Sequence, residues 1–254
     1  MKFIVIIQSR MTSKRYPGKM LAPFFGKPVL AHVVHRLKKI LINPDIILAT
    51  SSESTDDPLA LYSQHLGLKV VRGSRDDVME RFIFSLKQYK CDAFFRVCGD
   101  SPLLLPFLFD KAASIYNNNN YDLVTNVFPR TFPVGMSVEL IKAETFLKTQ
   151  KKITNYQDRE HITKYFYSHC KDFKIYNIEC GKPLDPNLQL AVDKPEDIQK
   201  LEQWCLANDE NHEENIFLMP EDEIKIYSKK VFNLGKSVSI DGIINYPGKY
   251  DFKN

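Results

Sequence analysis

Residues 3–19 read Phe-Ile-Val-Ile-Ile-Gln-Ser-Arg-Met-Thr-Ser-Lys-Arg-Tyr-Pro-Gly-Lys, and they are the strongest indication of the architecture. The first five residues are apolar and mostly β-branched, which is typical of a strand buried on both faces of a sheet. The loop that follows carries Arg10, Lys14, Arg15 and Lys19 and no acidic residue. Open α/β sheets bind phosphates in such loops, at the carboxyl ends of their central strands. The stretch therefore predicts an α/β fold with a phosphate-rich ligand beside the first strand.

The positive charge of the chain is concentrated at this end. No Asp or Glu precedes Asp45, whereas nine Lys and Arg do, so the first 44 residues carry +9 and the remainder −5, for a net charge of +4. That total is too small to indicate general nucleic-acid binding. The local excess of cations has two interpretations, a solvated surface or a binding site for an anion.

Neither of the common glycine-rich phosphate motifs explains this loop. Met20 follows Gly18-Lys19, and Ser13 stands where a P-loop has its first glycine. No three glycines after the first strand are spaced for dinucleotide binding. Side chains, more than backbone amides, are therefore expected to hold the phosphates.

Length and composition indicate one globular domain, alone or with an appendage. Of the 254 residues, 44% are apolar and 26% are charged, which is ordinary for a globular protein. No apolar stretch approaches the roughly 20 residues that span a bilayer, and Met1-Lys2 leads directly into a strand, so neither a membrane segment nor a signal peptide is expected. Five cysteines without a Cys-x-x-Cys pair predict reduced thiols and a cytoplasmic location.

Strand and helix patterns alternate along the chain, which favours a mostly parallel sheet with helices on both faces. The predicted strands are residues 3–7, 46–50, 69–72, 93–98, 123–126 and 188–192. The predicted helices are residues 29–42, 58–66, 76–89, 106–117, 143–149 and 195–207. We therefore expect a three-layer α/β domain over residues 1–207.

Two stretches depart from this alternation. Residues 129–180 have a mixed pattern and are predicted to form an insertion that projects from the sheet edge. Residues 208–223 contain seven Asp and Glu and no Lys or Arg, which indicates an exposed acidic connector. The connector and a C-terminal extension together make up residues 208–254.

Two aspartates stand at predicted strand ends, on the same side of the sheet as the basic loop (residues 9–19). Asp100 follows strand 93–98 in a tight turn, and Asp193 follows strand 188–192. Because parallel strands end at one edge of a sheet, both carboxylates are expected beside the basic loop. Phosphoryl and nucleotidyl transfer uses Mg²⁺ held by one or two carboxylates, so they are candidate metal ligands. The alternative is that each caps the helix that follows it.

Residues 8–19 resemble the opening of the SpsF-type polysaccharide cytidylyltransferases, which belong with the enzymes that make CMP-activated acidic sugars, such as the acylneuraminate cytidylyltransferases. That family opens on Gln-Ala-Arg, two variable residues, Ser, one variable residue and Arg-Leu-Pro-Gly-Lys. Similar motifs continue in the family's order at residues 72–78, 96–102, 130–133, 158–163 and 192–197. Four positions depart from the family's usual residues: Ser9 for Ala, Tyr16 for Leu, Cys98 for Thr and Leu105 for Asp.

The resemblance implies a three-layer α/β fold like that of the nucleotide-diphospho-sugar transferases, Rossmann-like, with a mixed sheet and a projecting insertion. It implies transfer of CMP from CTP to an acidic sugar or related anionic acceptor, with release of pyrophosphate, in surface polysaccharide or glycoconjugate biosynthesis. Arg10, Arg15 and Lys19 would meet the triphosphate. Asp100 and Asp193 would bind Mg²⁺, and these five residues are the catalytic candidates.

Further candidates fall into two sets. The other nucleotide-binding candidates are Gln8, Ser9, Ser13, Arg72, Ser74, Asp77 and Arg96. The acceptor-binding candidates are Arg130, Arg159, Glu160 and His161. The cations of the second set would receive a carboxylate or phosphate through charge-assisted hydrogen bonds. For Arg159 and Glu160, the alternative is an ion pair between them on a helix surface.

Two other functions stay open on the sequence alone. A sugar-phosphate nucleotidylyltransferase that uses another NTP would share this fold, and a non-catalytic nucleotide-binding protein would share the basic loop. The intact Asp100 and Asp193 favour an enzyme over the second alternative.

The expected partners are CTP, an anionic small molecule and a second copy of the chain, with no nucleic acid and no membrane. Apolar residues alternate with others in a stretch too short to form its own core, and a two-fold partner is the commonest cover for such a segment. These residues are Phe128, Phe132, Val134, Met136 and Val138. Together with the resemblance, which implies pairing through such an insertion, this pattern predicts a homodimer through residues 129–180. The alternative is that the C-terminal tail from Ile224 folds back and covers these residues within one chain.

Overall fold

The fold is described from a computed structural model, which covers residues 1–180 and 188–208. The strands are β1 (Phe3–Gln8), β2 (Pro23–Phe24), β3 (Lys27–Pro28), β4 (Asp45–Ser51), β5 (Lys69–Gly73), β6 (Ala93–Cys98), β7 (Leu123–Thr125), β8 (Glu139–Lys142) and β9 (Ile175–Asn177). The helices are α1 (Val29–Leu37), α2 (Asp57–His65), α3 (Val78–Gln88), α4 (Pro106–Asn118), α5 (Ala143–Thr149), α6 (Tyr156–Glu160), α7 (Lys164–Ser168) and α8 (Pro195–Asn208). Among these helices, none has the length and apolar character needed to cross a membrane.

Seven strands form one mixed sheet in the order β5-β4-β1-β6-β8-β7-β9. β1 lies between β4 and β6 and is parallel to both, so that Gln8 is paired with Ala49 on one side and with Cys98 on the other. β8 is antiparallel to both β6 and β7. The expected parallel arrangement thus holds for four adjacent strands, and β8 makes the sheet as a whole mixed.

Helices cover both faces of the sheet because the strand side chains on both faces are apolar. Val5 and Ile7 pack into a core with residues of α1, α4 and α8. Ile4 and Ile6, which point to the opposite face, pack with residues of α3 and α5. The structure therefore confirms the predicted three-layer α/β fold.

The prediction of a strand at residues 188–192 is wrong. Gln189 forms only an isolated bridge with Val134, and single hydrogen bonds run from Leu190 N to Val134 O at 2.7 Å and from Val192 N to Asp100 O at 2.8 Å. Leu190 and Val192 are buried all the same. Alternating apolar residues indicate that an extended segment is buried. They do not show whether that segment pairs with a neighbouring strand or packs against loops.

Much of the predicted insertion is part of the main sheet. β8 lies inside the sheet and β9 lies at its edge. Phe132, Met136 and Val138 are buried in the core of the same chain, whereas Phe128 and Val134 are 38% and 41% exposed. The apolar alternation in this stretch therefore mostly serves the fold of one chain.

The predicted domain boundary falls within α8, which runs to Asn208. The acidic connector and the C-terminal extension lie outside the described residues from residue 209 onward. The division at residue 207 stays a prediction.

Gly135 holds the chain where residues 188–192 approach it. Its φ is +100°, and a Cβ there would overlap the backbone carbonyl of Leu190. We expect Gly135→Ala to lower the free energy of unfolding by about 2–4 kcal/mol, from the positive φ and the overlap together. Urea unfolding followed by circular dichroism measures this loss.

Gly67→Ala is the matched control. Gly67 also has a positive φ, +80°, but a Cβ there would have no neighbour within 4 Å. We expect a loss of about 1–2 kcal/mol from the backbone alone. Equal losses in the two variants would contradict the close approach of Gly135 to Leu190.

Candidate active site

The basic loop is folded by its own backbone and fixed by a buried carboxylate. Ser13 N and Gly18 N both donate to Met11 O, at 3.0 and 2.9 Å, so the loop turns back on itself. Met11 N donates to Asp56 Oδ1 at 2.7 Å. Asp56 is fully buried and also accepts hydrogen bonds from Thr50 Oγ1 and from the backbone and side chain of Ser51. The end of β4 thereby positions the loop that follows β1.

Lys19, at the end of the basic loop, brings the two candidate aspartates together. Its ammonium lies 2.6 Å from Asp100 Oδ2, 2.7 Å from the carbonyl oxygen of Val192 and 3.3 Å from Asp193 Oδ1. Arg15 Nη2 lies 2.9 Å from the same Asp193 oxygen. We refer to Arg15, Lys19, Asp100 and Asp193 as the charge cluster. The structure thus places four of the five catalytic candidates in direct contact.

Close backbone packing sets the position of Asp100. Gly99 N donates to Gln8 O at 3.1 Å, and a Cβ on Gly99 would lie 2.8 Å from Ser9 Oγ. Only glycine therefore allows the end of β6 to approach the start of the basic loop so closely. α4 begins at Pro106, with Leu105 at the N-cap position, so Asp100 does not cap it.

A neighbouring carboxylate leaves Asp193 available to the charge cluster. Asp197 Oδ2 accepts the backbone N–H groups of Asp193 and Lys194, both at 2.8 Å. Asp193 itself faces Arg15 and Lys19. The alternative that Asp193 serves as the cap of α8 therefore does not apply.

The oxygen atoms around Lys19 suit a magnesium ion. Two carboxylates and one main-chain carbonyl are the hard donors that Mg²⁺ prefers, and a cation, the Lys19 ammonium, already lies among them. Within residues 1–180 and 188–208, no group of three or more His, Cys, Asp and Glu side chains is arranged to hold a metal. The chain would thus supply part of a coordination shell and leave the remainder to a ligand, as is usual for Mg²⁺ bound with phosphates.

A buried polar network lies behind Gln8, and the sequence analysis identified only part of it. Arg96 Nε donates to Gln8 Oε1 at 2.9 Å, and Arg96 also pairs with Glu139. Tyr167 Oη donates to Glu139 Oε1 at 2.5 Å and contacts Thr125 Oγ1 at 3.0 Å. Strands β1, β6 and β8 and helix α7 are thus joined by charged hydrogen bonds.

The ion pair between Arg96 and Glu139 favours the ionised form of Glu139. Burial opposes the charged form of Glu139, but the charge of Arg96 and hydrogen bonds from Tyr167, Arg96 and Thr163 outweigh it and lower the pKa of Glu139. Burial raises the pKa of Cys98, at the end of β6, to about 11. Cys98 is therefore a neutral thiol at neutral pH and is unsuited to act as a nucleophile.

Arg10 connects the basic loop with the predicted acceptor region. Its guanidinium lies 3.4 Å from Glu160 Oε1 and 3.1 Å from the carbonyl oxygen of Arg75. Arg159 instead pairs with Asp77, at 2.6 and 2.7 Å. The alternative in which Arg159 and Glu160 pair with each other is therefore wrong, because each reaches a different element.

The remaining candidates lie in different surroundings. Arg72 contacts Ser51 O, Glu53 O and Asp57, all at the end of β4 or the start of α2. Asp77 caps α3 by accepting from Glu80 N, and Ser74 Oγ accepts from Asp77 N. Arg130 donates to Ser137 Oγ at 3.1 Å, and His161 is exposed at the end of α6. None of these contacts is with the charge cluster.

Hydroxyl groups of the basic loop complete the site. Ser13 Oγ accepts from Tyr16 N at 3.3 Å. Ser9 Oγ and Thr12 Oγ1 are buried and have no hydrogen-bond partner within the part of the chain that the structure describes. Ser9 and Ser13 are among the predicted site residues, whereas Thr12 is not. Buried hydroxyls without a partner are unusual in proteins.

A family model described as cytidylyltransferase matches residues 4–232. The chain belongs to this family. It is 28% identical over 206 residues to the spore coat polysaccharide biosynthesis protein SpsF of Bacillus subtilis, which covers 78% of this chain and 84% of that protein. It is 29% identical over 145 residues to the 3-deoxy-manno-octulosonate cytidylyltransferase of Bdellovibrio bacteriovorus, which covers 56% of this chain and 57% of that protein.

The solved structure of a cytidylyltransferase from Leptospira borgpetersenii is similar to the structure of the present protein over most of both chains. The TM-score is 0.82 and the sequence identity is 27%, with 94% of this chain and 99% of that chain covered. This similarity confirms the predicted nucleotide-sugar transferase fold, and the family model together with SpsF confirms the resemblance to the cytidylyltransferases.

The Arg96–Glu139 pair makes a prediction about stability. Arg96→Met leaves a buried carboxylate without its partner, and we expect the free energy of unfolding to fall by about 3–5 kcal/mol. The double variant Arg96→Met/Glu139→Leu removes both charges and should recover most of this loss. Chemical unfolding at neutral pH measures both variants, and strictly additive losses would contradict a coupled pair.

The shifted pKa of Glu139 predicts the direction in which pH changes the stability of the fold. The pKa of Glu139 is lower in the folded protein than its ordinary value of 4.5. Ionised Glu139 therefore stabilises the fold above the unfolded pKa, and this contribution is lost as the pH falls through the folded pKa. The stability difference between wild type and Arg96→Met should accordingly narrow in acid. Arg75→Met, which removes an exposed ion pair with Asp76, is the control, and it should leave the stability almost unchanged because solvent screens exposed ion pairs.

Proposed function

We propose that this protein transfers CMP from CTP to an acidic sugar or related anionic acceptor and releases pyrophosphate, in surface polysaccharide or glycoconjugate biosynthesis. The contact of Lys19 with both Asp100 and Asp193 carries the proposal, because it joins a basic loop to two carboxylates at one sheet edge. In a member of the cytidylyltransferase family, this is the pairing of charges that nucleotidyl transfer requires.

The reaction is an in-line attack of an acceptor oxygen on the α-phosphorus of CTP. It needs no protein nucleophile, in keeping with the neutral thiol of Cys98. Positioning and charge neutralisation account for the catalysis. Mg²⁺, held by Asp100 and Asp193, would supply positive charge at the α-phosphate and the attacking oxygen.

The cations of the basic loop have a separate task. Arg10, Arg15 and Lys19 bind the β- and γ-phosphates and offset the negative charge that develops on the departing pyrophosphate. In the structure their partners are carboxylates, namely Glu160, Asp193 and Asp100. A triphosphate replaces these contacts with charge-assisted hydrogen bonds of the same kind.

Gln8 presents a defined group to the nucleotide. Its amide oxygen accepts from Arg96, so its amide nitrogen is left to donate to an oxygen of the base or ribose. Arg96, Glu139 and Tyr167 act as positioning residues for this amide. Arg72, Ser74 and Asp77 are proposed to contribute to the nucleotide site through the position of α3 and β5.

The acceptor is proposed to be anionic. Arg130, Arg159 and His161 provide positive charge in residues 129–180, and the contact between Glu160 and Arg10 joins this region to the basic loop. The relative from Bdellovibrio bacteriovorus is named for an acidic sugar, and SpsF for polysaccharide biosynthesis. Both names support a sugar acid as the substrate class.

Pyrophosphate release tests the proposed function. The purified protein with Mg²⁺ and a panel of acidic sugars should release pyrophosphate from CTP, and much less from ATP, GTP or UTP. Asp100→Asn should lower turnover about 100-fold, which corresponds to about 2.7 kcal/mol in the transition state. Asp172→Asn, at an exposed turn before β9, is the control and should keep wild-type turnover.

Two outcomes would contradict the proposal. Pyrophosphate release from another NTP in preference to CTP would favour a different nucleotidylyltransferase. Nucleotide binding without turnover for every NTP and acceptor would favour the non-catalytic alternative.

We further propose a homodimer through residues 129–180. Phe128, Val134 and Tyr176 leave apolar surface exposed on this region, at 38%, 41% and 39%. Light scattering of the full chain at micromolar concentration should give twice the monomer mass, and Phe128→Ser/Val134→Ser should reduce it. A wild-type monomer would refute the proposed dimer.

We also infer a cytoplasmic location. Cys91, Cys98 and Cys170 are free thiols in the structure. Reduced thiols are typical of proteins kept in a reducing compartment.

A further inference from the structure

The Lys19 ammonium occupies a position that an inorganic cation would also favour. It lies among three oxygen atoms, those of Asp100, Val192 and Asp193, at 2.6, 2.7 and 3.3 Å. Its side chain is only 7% exposed. A lysine side chain is seldom buried without such partners, so these oxygens hold it in place.

The charge cluster is electrically balanced without a metal. Arg15 and Lys19 carry two positive charges, and Asp100 and Asp193 carry two negative charges, each cation within hydrogen-bond distance of a carboxylate. A divalent ion at these carboxylates would face two cations on the same oxygens, and like charges at such distances repel strongly. The four side chains of the charge cluster by themselves therefore have little net attraction for Mg²⁺.

A triphosphate changes this balance. Its phosphate oxygens compete with the carboxylates for Lys19 and Arg15, because phosphates are strong acceptors for ammonium and guanidinium groups. Movement of the Lys19 ammonium toward the phosphates frees the oxygens of Asp100 and Asp193. The same phosphates bring negative charge that favours a divalent ion.

We propose that Lys19 is an internal cation that keeps the two carboxylates closed to metal until a nucleoside triphosphate binds. Metal and nucleotide are then thermodynamically coupled, so each strengthens the binding of the other. The order has a physical benefit, since a metal ion is held only where there is a phosphate for it to act on. The identity of the ligand in this inference rests on the proposed function, whereas the contacts of Lys19 are observed in the structure.

The test measures Mn²⁺ binding without nucleotide, by the loss of the free-ion signal in electron paramagnetic resonance. We expect weak binding to the wild type and at least tenfold tighter binding to Lys19→Met, which keeps an unbranched apolar side chain but removes the charge. Lys14→Met, at an exposed lysine of the same loop, should bind Mn²⁺ as weakly as the wild type. Adding Asp100→Asn to Lys19→Met should abolish the gain and thereby locate the ion.

Two results would overturn the proposal. One is tight Mn²⁺ binding to the wild-type protein that is abolished by Asp100→Asn. This result would show that the carboxylates bind metal while Lys19 is present. The other is a folded Lys19→Met or Lys19→Gln protein, checked by circular dichroism, that binds Mn²⁺ no more tightly than the wild type. Failure of the proposed function can be distinguished from failure of this inference. The first appears as a lack of pyrophosphate release, whereas the Mn²⁺ titrations contain no nucleotide and do not depend on the reaction.

Discussion

The parallel pairing of β1 with β4 and β6 is the constraint on which the rest of this structure depends. Gln8 lies opposite Ala49 and Cys98, so β1 and β6 end at the same level of the sheet, and β4 ends two residues further on, at Ser51. Three parts of the site follow from this shared edge: the basic loop leaves β1, Asp56 follows β4 and Asp100 follows β6. Because the strands are buried on both faces, a shift in register would move apolar side chains out of the core, and the site inherits the rigidity of the sheet.

Charge compensation is the second organising feature. Lys19, Arg10 and Arg15 each contact a carboxylate, and Arg96 pairs with Glu139. Buried or half-buried charges are tolerated only when paired. These pairs also fit the proposed function, since a strongly anionic group such as a triphosphate would offer the same cations an equivalent partner.

Most of the fold and the centre of the site could be predicted from the sequence. Apolar runs located β1, β4 and β6, and the positions of Asp100 and Asp193 after apolar segments correctly placed them beside the basic loop. Asp56, Glu139 and Tyr167 were missed because each is a single polar residue whose partners are distant in sequence. The alternation of apolar residues over 188–192 predicts a strand because it is that of a buried extended segment. Such a pattern does not show which backbone groups the segment bonds to.

By itself, the sequence determined the α/β class, the concentration of cations after the first strand, and the family, because these depend on local composition and on the order of short motifs. Only the tertiary structure decided which charges meet. Lys19 contacts carboxylates 81 and 174 residues away, Arg159 pairs with Asp77 and not with its neighbour Glu160, and Arg96 is shared between Gln8 and Glu139. The reason is physical: local sequence sets the direction and burial of each element, whereas the partner of a buried charge is chosen by the packing of elements that are far apart along the chain.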